Sequence, residues 1–240
     1  MDGQASTGAG GPRATADPRW SEIDRYIADR LIGHDPPGEA LLAASAAAGL
    51  GHGAVSSAEG RLLELLARAR GARRILEIGT HGGYSTLCLA RALAAGGRLT
   101  TLELNARHAE VARANLQTAG FGDVVDVRVG RAIDTLEALR AEGAGPFDLI
   151  FIDADKQSNC EYFELSLELS APGTVMLADN VVRAGVILDP EGQDPRLGEG
   201  GVQALRRFFE LVAASPRVRA TAIQTVGSKG HDGFLLAVVI

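Results

Sequence analysis

Residues 73–83 read RRILEIGTHGG, a short apolar run that ends in a glycine-rich turn. Such a run is typical of a buried strand whose end leads directly into a helix. A second run of this kind, FDLIFID, occupies residues 147–153. Both runs lack the polar alternation of a half-exposed strand, so they indicate a parallel sheet that is covered on both faces. The sequence therefore predicts an α/β fold with a doubly wound sheet.

Strand and helix patterns alternate through the middle of the chain, as a doubly wound sheet requires. The predicted strands cover residues 73–79, 98–104, 124–129, 147–153 and 174–178. The predicted helices cover residues 56–70, 83–95, 105–119, 131–141 and 159–169. Each predicted helix is long enough to cross over the sheet and return the chain for a parallel strand.

The N-terminal segment departs from this alternation. Residues 1–18 contain hardly any large apolar side chain, which predicts a flexible tail because burial cannot offset the entropy of ordering it. Residues 19–240 are then expected to form a single domain. Helical apolar spacing at residues 20–31 and 40–50 predicts accessory helices before the first strand.

The C-terminal third also departs from the alternation. Residues 189–201 are rich in Gly, Pro and Asp, which predicts a mobile loop. Two β-rich runs at residues 219–226 and 233–240 predict a terminal antiparallel hairpin.

The composition excludes several classes of protein. A chain of 240 residues with 46% hydrophobic residues can bury a sizeable core, so it is not a disordered chain. Asp and Glu number 30 against 24 Lys and Arg, so no broad basic surface favours nucleic acid or anionic lipid. Cys88 and Cys160 form no CxxC pair, which argues against a disulfide scaffold or a zinc site. Without a signal-peptide pattern or a long apolar stretch, we expect a cytoplasmic protein with no membrane segment.

Acidic and amide side chains follow several predicted strands at the point where each strand ends. Glu77 closes the first strand, Glu103 the second and Asp153 the fourth, and Asp179 and Asn180 follow the fifth. In an open α/β sheet the ligand lies beyond the carboxyl ends of the strands. These side chains are therefore the first candidates for a ligand site.

The glycine-rich turn after the first strand has the spacing GxxGG at residues 79–83. It lacks the GxGxxG of a dinucleotide-binding turn, so NAD is disfavoured. Glu77 would repel a diphosphate and attract a cationic ligand. A tight turn that serves packing alone is the alternative interpretation.

Glu103 stands where acidic residues accept hydrogen bonds from a ribose diol, which indicates an adenosine ligand. The alternative is a solvated acid at a strand end.

Asp153, Asp179 and Asn180 offer three oxygen ligands, a set that suits Mg²⁺ or a similar divalent ion. Lys156 follows three residues after Asp153 and could accept a proton beside such a metal. Helix capping by Asp or Asn and a surface role for the lysine are the alternatives.

Three segments taken together, ILEIGTHGGYS at residues 75–85, FDLIFIDADK at 147–156, and Asp179-Asn180, carry a resemblance to a known family. The chain resembles the cation-dependent, S-adenosylmethionine (SAM)-dependent O-methyltransferases of the catechol and caffeoyl-CoA type. The resemblance is strongest to the bacterial members of this family. The resemblance spans about Trp20 to the C-terminus and implies a Rossmann-like class I methyltransferase sheet.

The resemblance also implies a role for each matching residue. It implies SAM as cofactor, Mg²⁺ (or Ca²⁺ or Mn²⁺) as metal, and Lys156 as the general base. The implied metal ligands are Asp153, Asp179 and Asn180. The residues implied to bind the cofactor are Val55, Glu77, Gly79, Ser85, Glu103, Ala132, Asp153 and Asp155, with Glu103 on the ribose, Val55 at the methionine portion and Ala132 near the adenine.

The reaction implied by the resemblance is methyl transfer to a hydroxyl of a catechol-like small molecule. The Ala- and Gly-rich composition suggests a high-GC bacterium, in which such an enzyme could act in secondary metabolism. It also implies a homodimer that uses the N-terminal helices or the sheet edge. The loop at 189–201 lies where family members select acceptors, and Phe209 stands where members often carry Asn. Two alternatives stay open: methylation of a hydroxylated tRNA base, and a noncatalytic cofactor-binding module.

Overall fold

The computed structural model of the protein describes residues 17–51 and 53–240. The strands in these residues are β1 (Arg74–Ile78), β2 (Arg98–Glu103), β3 (Val125–Val129), β4 (Phe147–Ile152), β5 (Ser170–Ala178), β6 (Val218–Gly227) and β7 (Gly230–Val239). They form one sheet in the order β3-β2-β1-β4-β5-β7-β6.

Strands β1 to β5 pair in parallel, and β7 pairs antiparallel with both β5 and β6. From β1 the order extends to β2 and β3 on one side and to β4 and β5 on the other. This reversal opens a crevice beyond the carboxyl ends of β1 and β4, where open α/β sheets bind their ligands. The predicted doubly wound sheet and the C-terminal antiparallel hairpin are confirmed.

The helices are α1 (Pro18–Ile27), α2 (Pro36–Ala47), α3 (Ser57–Arg70), α4 (Tyr84–Ala90), α5 (Ala106–Thr118), α6 (Ala132–Ala141), α7 (Asn159–Glu168) and α8 (Gly201–Ala214). A π-helical turn, Ala28–Ile32, extends α1, and a 3₁₀ segment, Arg183–Leu188, follows β5. No helix in the described part of the chain is long and apolar enough to cross a membrane.

Each face of the sheet carries its own hydrophobic core, because successive strand side chains point to opposite faces. In β4, Leu149 and Phe151 pack with residues of α3, α4 and α5. Ile150 and Ile152 pack on the other face with residues of α6, α7 and α8. The continuous apolar runs that predicted a covered parallel sheet therefore supply both cores.

The most visible boundary error concerns the helix predicted for residues 83–95, which ends at Ala90. Beyond it the chain runs past the segment that precedes β1, where the Ala94 N–H donates to the Ala72 carbonyl at 2.9 Å. Gly96, with a φ of 73°, then completes the turn in a left-handed conformation. A contact between distant parts of the chain thus ends the helix earlier than the local pattern indicates.

The N-terminal helices are present and lie against the rest of the molecule. Residues 1–16 of the predicted tail lie outside the described residues, whereas Asp17 caps α1 and Pro18 begins it, two residues before the predicted start. Asp35, which caps α2, forms an ion pair with Arg91 at 2.6 Å, and this pair fastens α2 to the end of α4.

At the C-terminal end the hairpin is tighter than predicted. Ser228 and Lys229 alone connect β6 to β7, so both strands extend into the segment expected to be a turn. The loop at 189–201 contains three buried residues, Asp194, Leu197 and Gly201, and Leu197 packs with the first turns of α8.

The close approach between the ends of β1 and β4 depends on Gly79. Its φ is 104°, and a Cβ atom at this position would lie 2.4 Å from the carbonyl oxygen of Asp153. Because that oxygen belongs to the backbone, it cannot move aside as a flexible side chain would. The absence of a side chain at residue 79 therefore lets the two strand ends that carry the acidic residues approach each other.

Replacement of Gly79 by Ala should destabilise the protein more than the same change at a glycine that lacks this contact. Gly120, at the end of α5, has a φ of 82° and open space for at least 4 Å around the position of a Cβ atom, so Gly120→Ala carries only conformational strain. We expect about 1 kcal/mol of lost unfolding free energy for Gly120→Ala and about 2–5 kcal/mol for Gly79→Ala in urea titrations. Equal losses would show that the contact with Asp153 carries no weight.

Candidate active site

A cavity of about 690 Å³ lies beyond the carboxyl ends of β1, β2 and β4. Its lining combines apolar residues of α2 with polar groups from the strand ends. The structure brings seven of the predicted cofactor residues to this lining: Val55, Gly79, Ser85, Glu103, Ala132, Asp153 and Asp155. A cavity of this size falls in the range of small-molecule and cofactor sites.

The glycine-rich turn forms one wall of the cavity, and residues of α2 and α5 contact it. The Asn115 amide donates to the Gly82 carbonyl at 3.0 Å and to the Ser45 hydroxyl at 3.1 Å. A Cβ at Gly82 would lie 2.3 Å from that hydroxyl oxygen, so α2 packs directly on the turn. His81 adopts a φ of 50° in the same turn and lines the cavity. Helices α2 and α5 thus fix the turn that faces the ligand.

Glu103 is fastened by backbone N–H groups. One carboxylate oxygen accepts from His81 at 2.8 Å and from Thr80 at 3.3 Å, and the other accepts from Asn105 at 2.9 Å. These bonds leave a fixed carboxylate on the cavity wall with lone pairs to spare. A ligand diol is a suitable donor to such a group.

Glu77 lies behind the cavity wall and is fully buried. Ser85 and Thr101 each donate a hydroxyl to its carboxylate at 2.6 Å, and Thr86 donates a third. Burial raises the pKa of Glu77 to about 7, although the three hydroxyl groups oppose that rise. Glu77 itself does not line the cavity, whereas Ser85, which donates to it, does.

Asp153 and Lys156 form a close ion pair at the end of β4. Lys156 Nζ lies 2.9 Å from Asp153 Oδ1, and the lysine side chain is 3% exposed. An ammonium group that is almost completely buried requires such a partner. The lysine predicted to be a base is thus held beside the cavity rather than on the surface.

Asp179 is buried and has little compensation. Among the described residues, its carboxylate accepts one hydrogen bond, from the Asn180 backbone N–H at 2.7 Å, and forms no ion pair. Burial raises the pKa of Asp179, and the nearby carboxylates of Asp153 and Glu59 raise it further. A divalent cation would relieve this repulsion, and two carboxylates with an amide oxygen are donors that hard cations prefer. The residues present therefore fit the predicted metal.

The described residues contain no group of three or more His, Cys, Asp or Glu side chains arranged to hold a metal ion. The predicted metal set differs from such a group because Asn180 is its third member. Asp179 lines a small second cavity, which Val55 and Glu59 share. The linings of these two cavities do not include Lys156 or Asn180.

Asp155 shapes the loop that follows β4. Its carboxylate accepts the Ser158 N–H at 3.0 Å and the Tyr162 hydroxyl at 2.5 Å. Burial raises the pKa of Tyr162, and the bond to Asp155 adds to that rise. Asp155 therefore faces the cavity as part of an ordered loop.

Sequence reasoning missed several polar residues of this site. Thr86 and Thr101 supply hydroxyl groups to Glu77, and Tyr162 supplies one to Asp155. A Thr in the apolar run of β2 was an available signal, since a buried hydroxyl needs a partner. Phe209 packs against Phe208 and the core, so this side chain serves packing.

Comparisons with known proteins agree on one family. A family model described as O-methyltransferase matches residues 39–239. A catechol O-methyltransferase from Niastella koreensis is 48% identical over 223 residues, covering 92% of this chain and 97% of that protein. The structure of an O-methyltransferase from Bacillus cereus in complex with SAH is 53% identical, with a TM-score of 0.88, and the match covers 92% and 99% of the two chains. The O-methyltransferase TomG from Streptomyces achromogenes, which is involved in tomaymycin synthesis and was solved with SAM, is 48% identical with a TM-score of 0.86 over 92% and 97% of the chains.

Glu77 should make the stability of the ligand-free protein fall as the pH rises. Its pKa of about 7 in the folded state exceeds its ordinary value of 4.5, so the folded state binds the proton more tightly and loses stability between these values. Since one pKa unit equals about 1.4 kcal/mol, the loss is at most on the order of 3 kcal/mol. We expect Glu77→Gln to gain stability relative to the parent between about pH 5 and about pH 8 in urea titrations.

Glu110→Gln provides the control, because Glu110 is an exposed acid on α5. Its pH dependence should follow that of the parent. An identical pH dependence for the parent and Glu77→Gln would contradict the assigned burial cost.

Proposed function

The chain belongs to the O-methyltransferase family, and from this premise we propose that it transfers a methyl group from SAM to a hydroxyl of a catechol-like small molecule in a divalent-metal-dependent reaction. The observation that carries the proposal is the arrangement around Asp153, a half-buried carboxylate that lines the large cavity. It pairs with the buried Lys156 and lies near enough to the buried Asp179 to raise the pKa of that carboxyl group. This arrangement joins a site for a hard cation to a group that can accept a proton.

The cavity supports SAM as the methyl donor. SAM supplies a methyl group on a positively charged sulfur, which a nucleophilic oxygen can attack. Glu103 would accept hydrogen bonds from the ribose, Ala132 would lie near the adenine, and Val55 and Ser85 would contact the methionine portion. The relative from Streptomyces achromogenes binds SAM and the relative from Bacillus cereus binds SAH, which supports the same assignment.

Asp153, Asp179 and Asn180 would hold the metal, which we propose to be Mg²⁺, with Ca²⁺ and Mn²⁺ as alternatives of the same oxygen-ligand class. When bound, a divalent cation supplies positive charge that favours the ionised form of an acceptor hydroxyl. Asp179 is buried, accepts one backbone hydrogen bond and forms no ion pair among the described residues, which supports this assignment.

Lys156 would accept the proton from the acceptor hydroxyl in its neutral amine form, because the ammonium form has no free lone pair. A divalent cation held by Asp153 would repel the ammonium form and so favour the amine. The hydroxyl oxygen then forms a bond to the methyl carbon, the bond from that carbon to sulfur breaks, and the products are a methyl ether, SAH and a proton. The position of Nζ at 2.9 Å from Asp153 keeps the lysine oriented at the edge of the site. The catechol O-methyltransferase among the relatives supports a vicinal dihydroxy aromatic acceptor, and the relative involved in tomaymycin synthesis supports a role in secondary metabolism.

The purified protein should methylate members of a panel of catechols, including a caffeoyl compound, with SAM and Mg²⁺, and EDTA should abolish the product detected by mass spectrometry. Lys156→Arg and Lys156→Met should both lower kcat at least about 100-fold and leave the Kd for SAM unchanged. Arginine keeps the positive charge and the ion pair with Asp153, but it cannot lose a proton.

Full activity in Lys156→Arg would reject the role of Lys156 as base. Binding of SAM without any methylated catechol would redirect the search to a hydroxylated tRNA base or a larger acceptor. Failure to bind SAM would overturn the proposed function and favour a noncatalytic module.

We also propose that two copies of the chain associate through the N-terminal helix. Exposed apolar side chains cluster on α1 and the π-helical turn: Ile23 and Tyr26 lie on α1, and Leu31 follows. Helix α1 buries none of its residues within the described chain, and it lies beside the edge strand β6. A second copy would cover both this apolar surface and the open sheet edge.

Light scattering after gel filtration should give the mass of two chains for the parent. Tyr26→Glu combined with Leu31→Glu should give single chains, because charges would then oppose burial of the surface. Leu188→Glu is the control, since Leu188 is an exposed apolar residue in the 3₁₀ segment. A single-chain mass for the parent would contradict the proposed dimer.

A further inference from the structure

The turn that follows Asn180 has an unusual backbone. Asn180, Arg183 and Ala184 have φ values of 56°, 51° and 55°, although none of them is glycine. Each such conformation costs free energy and persists only when the surroundings hold it in place. The turn that carries a proposed metal ligand therefore requires support from another part of the chain.

Asp232, on β7, supplies that support. Its Oδ1 atom accepts three backbone N–H groups, from Arg183 at 2.9 Å, from Gly233 at 3.0 Å and from Val182 at 3.2 Å. Two of these groups belong to the turn, so one carboxylate on the hairpin holds the segment just after Asn180. A carboxylate that accepts several backbone N–H groups makes strong, charge-assisted bonds.

The Arg183 side chain forms two hydrogen bonds to Asn180. Its Nε donates to the Asn180 carbonyl at 3.1 Å, and its Nη2 donates to the side-chain Oδ1 at 3.3 Å. A guanidinium has donors only, so the oxygen rather than the nitrogen of the amide must face it. The amide is thereby fixed in one orientation, and its oxygen keeps a second lone pair for another partner.

The charge of Arg183 would by itself oppose a cation bound nearby. Asp232 compensates this charge, since its Oδ2 lies 4.0 Å from Arg183 Nε and the two side chains are 17% and 12% exposed. Low exposure makes this compensation stronger than it would be on the surface. Arg183 and Asp232 therefore orient Asn180 while adding little net charge near it.

We propose that Asp232 and Arg183 are positioning residues that hold the amide oxygen of Asn180 ready for a divalent cation. This inference rests on the proposed function, because it takes Asn180 as a metal ligand. Groups that hydrogen-bond to metal ligands orient them, and their loss commonly weakens metal binding about 10- to 100-fold.

The chain contains a matched control for this arrangement. Asp148, in β4, accepts the N–H groups of Arg73 and Arg74 at 2.8 and 3.0 Å and pairs with Arg70 at 3.2 Å. Asp148 lies near the first residues of β4, at the end of the sheet opposite the candidate site. Asp148→Asn should therefore loosen the fold in a similar way without touching the turn at Asn180.

The test measures Mn²⁺ binding to the full chain by calorimetry, with SAM affinity and thermal unfolding in parallel. We expect Arg183→Gln and Asp232→Asn to raise the Kd for Mn²⁺ about tenfold or more while the Kd for SAM stays unchanged. Asp148→Asn should lower the melting temperature and leave the Kd for Mn²⁺ unchanged. Arg183→Gln keeps the backbone N–H bond to Asp232, so it carries the test if Asp232→Asn does not fold.

Unchanged Mn²⁺ affinity in both variants would overturn the inference and leave the proposed metal site intact. Tighter binding in Arg183→Gln would show that Arg183 competes with the cation and would also overturn it. An equal loss of affinity in Asp148→Asn would assign the effect to general loosening and overturn the positioning role. If the parent itself binds no Mn²⁺, the proposed metal site fails and the positioning role fails with it.

Discussion

Carboxylates that are buried or half-buried need hydrogen-bond donors or positive charge, and this need organises the edge of the sheet where β1, β2, β4 and β5 end. Glu77 is satisfied by three hydroxyl groups, Glu103 by backbone N–H groups, and Asp153 by Lys156. Asp179 has a single backbone N–H among the described residues. The tight turns and the polar residues in the strands follow from these requirements, because each donor must be brought to its carboxylate.

The four carboxylates differ in how many hydrogen-bond and charge partners the chain gives them, and this difference connects the fold to the chemistry. Glu77 and Glu103 have partners supplied by the chain: Glu103 holds the glycine-rich turn, and Glu77 joins the start of α4 to β2. Asp153 and Asp179 together have one cationic side chain in the described residues, Lys156. With Lys156 as a neutral amine, a divalent cation would balance the two negative charges. The same lysine that pairs with Asp153 is the one proposed to accept a proton, so metal binding and proton transfer meet at one carboxylate.

Much of the fold follows from local sequence patterns, because parallel strands covered on both faces leave apolar runs that are easy to recognise. The acidic residues at the strand ends were also predictable from their place after those runs. The position of Glu77 behind the cavity wall was not predictable, because it depends on hydroxyl groups from β2 and α4. The support of Asn180 by Asp232 likewise joins residues far apart in the chain. Such contacts are set by tertiary packing rather than by periodicity.

The central claim is that the half-buried Asp153 and the buried Asp179, at the ends of β4 and β5, form the site of one divalent cation with Asn180. Anomalous diffraction from crystals soaked in Mn²⁺ measures this most directly. We predict one strong peak per chain within coordination distance of oxygens of Asp153, Asp179 and Asn180. A peak elsewhere, or none at these residues while SAM is bound in the cavity, would contradict it.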